Sequence, residues 1–93
     1  MENLYLIITY DIVDNKLRGK LSKFLQKYGV RVQFSVFQIA NSTRVLSIVT
    51  EKIERSFSKK FAKSDSVIIF KTNFNQTIRY GNAEDLNKDL LIF

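Results

Sequence analysis

Ninety-three residues, 45% of them hydrophobic and including eight phenylalanines and four tyrosines, suffice for one compact domain, which at this size buries only somewhat more than ~60% of its unfolded surface and so invites oligomerisation. The chain has no histidine and no cysteine, which excludes a disulfide scaffold, a thiolate zinc site and any histidine-based catalytic arrangement, leaving carboxylate, hydroxyl, Lys and Arg for chemistry. A net charge of +6 points to a polyanion as the partner class, against the plainer reading of a solvated basic surface.

LYLIITY (residues 4–10) lacks the alternation of a half-exposed strand and reads as the central strand of a sheet. DIVDN follows, and its Asp14 is the best N-cap for a helix running to about Tyr28, with Gly29 as the C′ stop. Leu17, Leu21, Phe24, Leu25 and Tyr28 form one apolar stripe on that helix. Lys16, Lys20, Lys23 and Lys27 fall in a narrow arc beside the stripe, while Arg18 lies on its opposite border and faces a different neighbour. RVQFSVFQIA (31–40) is extended, as one strand or as two with a break near Phe34 and Ser35. Asn41, Ser42 and Thr43 offer caps for a second helix to about Lys60, with Val45, Val49, Ile53 and Phe57 at i+4 steps.

SVIIFKT (66–72) is a further buried strand after the turn-like Lys63-Ser64-Asp65, QTIRYGN a short strand, and DLLIF an apolar tail. This order predicts one α+β domain over residues 1–93, a ferredoxin-like βαββαβ two-layer sandwich. Residues 76–93 are expected to form a C-terminal β extension that pairs with a partner subunit and so covers an exposed sheet edge. The longest apolar run is too short to cross a bilayer and Glu2 precedes no basic leader, so a soluble cytoplasmic protein with no membrane partner is expected.

From Asn15 to Thr50 there is no acidic residue, while Lys16, Arg18, Lys20, Lys23, Lys27, Arg31 and Arg44 all fall there. Against this basic background Asp11 ends the central strand at the sheet rim, where it either forms an Asx-turn or cap, or meets a ligand. Hydrolysis without histidine is open to a carboxylate that holds Mg²⁺, a hard cation satisfied by one or two carboxylates, waters and phosphate oxygens. A single Asp is a poor site. A two-fold axis near Asp11 would bring two copies together and supply the second carboxylate.

The strand ending in YD, the DNKLRGKLSKFLQKYG helix and the RVQFSVFQ element together resemble the CRISPR-associated protein 2 family, the small subunit of the CRISPR spacer-acquisition machinery. The likeness covers nearly the whole chain. It implies a ferredoxin-like homodimer acting as a metal-dependent endonuclease on single-stranded RNA or on double-stranded DNA, with Mg²⁺ (or Mn²⁺) held between two Asp11 side chains. It ties Arg18, Arg31, Ser35 and Phe37 to the same surface as catalytic residues, and it implies a CRISPR integrase subunit as partner, for which the chain could act as a non-catalytic DNA-binding bridge.

Each of these residues also has a plainer reading. Arg18 could pair with Asp14 or Asp11, Arg31 could satisfy the carbonyls of the preceding helix, Ser35 could belong to a turn, and Phe37 could be core or dimer interface. Lys20 stands where the family carries another basic residue in the first helix, and lacks the planar fork of Arg. The row of Lys16, Lys20, Lys23 and Lys27 is the expected nucleic-acid contact.

Overall fold

Antiparallel strands and two helices make up the computed structural model, which describes residues 4–40, 42–73, 78 and 80. Among these the chain runs β1 (Leu4–Asp11), α1 (Asn15–Leu25), β2 (Gly29–Gln33), β3 (Val36–Ala40), α2 (Thr43–Lys52) and β4 (Ser66–Asn73). The sheet order β2-β3-β1-β4 puts β1 inside, bonded to β3 on one side and β4 on the other, as its uninterrupted apolar sequence requires. This is the ferredoxin-like βαββαβ order. The expected extension over 76–93 lies outside the described residues apart from Ile78 and Tyr80, which are exposed and in no strand.

Alternation along β1 separates two faces. Leu6, Ile8 and Tyr10, continued by Ile12, turn toward the helices and join Leu17, Leu21, Leu25, Phe37, Ile39, Val49 and Phe57 in the core. Ile7, Thr9 and Asp11 point the other way, beside Phe70, Ile68 and Ser66 of β4. On β4 the same alternation packs Val67 and Ile69 on the core and leaves Ile68 and Phe70 about half exposed, at 56% and 48%.

Asp14 caps α1 as expected, its carboxylate accepting from the Leu17 amide at 2.8 Å. The helix ends sooner than its sequence suggests: Leu25 is its last residue, and Lys27 and Tyr28 donate to the carbonyls of Phe24 and Leu25 in a tight closing turn. Gly29 is therefore not a C′ stop. It opens β2, where a Cβ would run into the Gln38 carbonyl and the Ile39 side chain of β3, so only glycine allows the strands to approach there.

The extended RVQFSVFQIA segment resolves into two strands. Phe34 and Ser35 form the two-residue turn, and a bulge at Val32 separates the Arg31–Phe37 and Gln33–Val36 pairs. Ser42 caps α2 by accepting from the Val45 amide. An i+4 stripe drifts about 40° per step on an ideal α-helix. A wide turn at Ile53–Phe57, closed by the Ser58 amide on the Ile53 carbonyl, offsets that drift and returns Phe57 to the core. A short 3-10 turn then carries the helical path to Lys60, the expected end.

Candidate functional site

The rim where β1 ends is assembled by three local devices. Asp65 accepts from the Val13 amide at 2.9 Å and the Ala62 amide at 2.8 Å, tying the entrance of β4 to the loop after β1. The Tyr10 amide donates to the Ser35 carbonyl at 3.1 Å and fixes the β2–β3 turn beside the last residue of β1. Arg18 reaches back from α1 to the Ile12 carbonyl at 2.7 Å, with Val13 and Asn15 also within its reach. Its guanidinium clamps the β1–α1 loop and contacts no carboxylate among the described residues.

Asp11 is exposed and sits on the sheet face turned away from the helices. With Asp14 engaged in capping and Asp65 in bonding two amides, Asp11 is the rim carboxylate that accepts no hydrogen bond from any described residue. No group of three or more acidic side chains that could hold a metal occurs among the described residues. In kind, an exposed carboxylate suits a hard cation; in number, one protomer falls short of a site.

Of the other expected catalytic residues, Arg31 and Phe37 lie around the same rim but on the helix side. Arg31, on β2, donates to the hydroxyl of the buried Ser22 and lies over both the Phe34 ring, 6.0 Å from its centroid, and the Phe37 ring, at 5.7 Å. Phe37 has 0% exposure and stacks on Tyr10 at 6.3 Å, so it acts on the rim only through the residues it supports. Ser35 is a turn residue held by its carbonyl. A cavity of about 450 Å³ gathers Tyr10, Asn15, Arg18, Ser22, Arg31 and Phe34. Asp11 does not line it.

On the other flank of α1 the lysine row meets a second wall. Lys20, Lys23 and Lys27 face Lys52 and Lys60 from α2 and its continuation across a groove of about 450 Å³ floored by Leu17, Phe24 and Phe57. Lys16, the first of the row, does not line it. The sequence reading missed Lys52, Lys60 and the exposed Phe34. Lys52, Ser56 and Lys60 recur every four residues, each one position before Ile53, Phe57 and Phe61, the same edge pattern that marks the row on α1. Phe34 carried a weaker signal, as an aromatic residue at a break between strands.

A family model described as CRISPR associated protein Cas2 matches residues 3–79. The chain belongs to the Cas2 family. The YD and RVQFSVF elements lie within the matched span. A CRISPR-associated endoribonuclease Cas2 from Rhodospirillum rubrum is 39% identical over 64 residues, covering 69% of this chain and 49% of that protein, so the chain spans about half the length of that relative. A crystal structure of a hypothetical protein from Thermus thermophilus matches with a TM-score of 0.72 at 30% identity, covering 90% of this chain and 96% of the other. A Cas2 crystal structure matches in fold with a TM-score of 0.67 at 21% identity, over 98% of this chain and 99% of the other. No helix among the described residues is long and apolar enough to cross a membrane.

Proposed function

We propose that this Cas2-family chain serves the spacer-acquisition stage of CRISPR antiviral defence as a homodimeric endonuclease that hydrolyses phosphodiester bonds of RNA, with DNA as the alternative substrate. The observation that carries this reading is Asp11: exposed, without a described partner, and at the end of a sheet face whose Ile68 and Phe70 are left half exposed. A second copy packed on that face would cover the apolar side chains and bring a second Asp11 to the first. The names of the relatives, CRISPR-associated endoribonucleases, favour the same chemistry.

The two Asp11 carboxylates would hold Mg²⁺, or Mn²⁺ in its place. The cation would supply a bound water of lowered pKa and neutralise charge on the phosphate. Arg31 has donors that meet no described acceptor and can take a phosphate oxygen of the bound strand on the helix side of the rim, away from Asp11, whereas Arg18 serves by fixing the loop that follows Asp11. Asp11→Asn tests the reading: cleavage of single-stranded RNA in Mg²⁺ should disappear while nucleic-acid binding persists. Cleavage at the wild-type rate would remove Asp11 from the mechanism.

A second reading is a dimeric bridge that holds duplex DNA for a CRISPR integrase subunit without cutting it. The groove of Lys20, Lys23, Lys27, Lys52 and Lys60 favours it, because that groove lies in the helix layer, on the opposite side of the sheet from Asp11.

A further inference from the structure

Phe34 is unusual among the large apolar residues of this fold. It stands at the tip of the β2–β3 turn with 72% of its surface exposed, although the turn itself is firmly held. The Tyr10 amide anchors the neighbouring Ser35, and the bulge at Val32 ends beside the Gln33–Val36 pair that closes the turn. A held ring on the surface is presented, at low entropic cost to anything that binds it.

Its surroundings are cationic. The guanidiniums of Arg18 and Arg31 lie 5.9 and 6.0 Å from the ring centroid, and Lys23 lines the same cavity of about 450 Å³, with Asn15 and Gln26 as neutral polar groups and no carboxylate. Arg18 is spent on the loop carbonyls. Arg31 has only its Ser22 bond, so its fork is oriented by Ser22 and by the two rings beneath it while its other donors stay open among the described residues. A flat ring that stays largely exposed with an oriented guanidinium over it is complementary to a base joined to a phosphate.

We propose that Phe34 is a stacking platform for one unpaired base of a nucleic-acid strand, whose adjoining phosphate is taken by Arg31. The proposal deepens the reading of the chain as a protein acting on nucleic acid and rests on it. It commits to an unpaired nucleotide because a base inside a duplex already has both faces stacked and offers none to Phe34. The pocket thereby distinguishes strands with free ends, loops or gaps from continuous duplex, and it does so on the side of the rim away from Asp11.

The test measures binding of the full-length protein to a single-stranded oligonucleotide containing 2-aminopurine, and to its duplex. Phe34→Leu keeps an apolar side chain at an exposed position but removes the π face, and should weaken single-strand binding about tenfold and abolish 2-aminopurine quenching. Phe34→Trp should retain both. Duplex affinity should stay within about twofold for either variant. Equal single-strand binding by wild type and Phe34→Leu would overturn the proposal alone, as would a change of oligomeric state in Phe34→Leu, which would make the ring an interface residue. Wild-type protein that binds neither strand form would overturn the proposal together with the nucleic-acid reading.

Discussion

Replacing Lys52 and Lys60 together by Gln removes one wall of the helix-layer groove and leaves the helix propensity of both positions nearly unchanged. If the five groove lysines each neutralise one phosphate of duplex DNA, the salt slope of log K is about −4.5, and the double variant reduces it to about −2.7. Raising salt from about 50 to 200 mM should then cost the wild type about 500-fold in affinity and the double variant only about 40-fold. Fluorescence anisotropy with a labelled duplex across that range reads both slopes. Lys16→Gln is the internal control, since Lys16 belongs to the α1 row but not to the groove. An unchanged slope in Lys52→Gln/Lys60→Gln would refute the two-walled groove, and a slope changed equally by Lys16→Gln would reduce the groove to a general field of positive charge.

Asp65→Ala leaves the Val13 and Ala62 amides without their acceptor; the expected cost is about 1–2 kcal/mol, and hydrogen exchange at Val13 should quicken. Asp14→Ala removes the α1 cap and should cost about 1 kcal/mol, read as a Tm lowered by about 4–8 °C. Phe37→Ala empties the space between Tyr10 and Arg31 and should cost about 3–5 kcal/mol in chemical denaturation; full stability in this variant would contradict its place in the core. Gly29→Ala must force β2 away from β3 and should destabilise by about 1–3 kcal/mol, whereas Gly19→Ala, where a Cβ meets open space in an α-helix interior, should stabilise by about 0.5–1 kcal/mol.

Most of the fold was legible because its signals are local. An unbroken apolar strand, an Asp before an amphipathic run and an i+4 stripe each identify one element, and β1, the Asp14 cap and the path of α2 to Lys60 follow. Where a local signal competed with a tertiary one, the tertiary one prevailed. Gly29 resembles a helix stop, yet its lack of a side chain is used against Gln38, a residue nine positions away that only strand pairing brings near. The choice between one strand and two over 31–40 could not be made from periodicity, since the bulge at Val32 resets it.

The site divides in the same way. That Asp14 would cap α1, leaving Asp11 without that duty, was readable in order along the chain. Arg18 bonding to the Ile12 carbonyl rather than to a carboxylate was not, because backbone acceptors carry no sequence signature. Nor was the separation of Asp11 from Arg31 by the sheet, which depends on the direction each strand residue faces once the register is set.

The contact of Phe24 with Phe57, ring centroids 5.8 Å apart, lies under the lysine groove and joins its two walls. Those rings act as the gauge of a caliper whose jaws are the ammonium rows of α1 and α2. Trimming Phe57 would alter the jaw spacing relative to the fixed pitch of a phosphate backbone without changing a single charge. If the groove holds a polyanion, its grip can therefore be tuned from the interior of the domain, and two chains with identical surface lysines could differ in the strand geometry they hold.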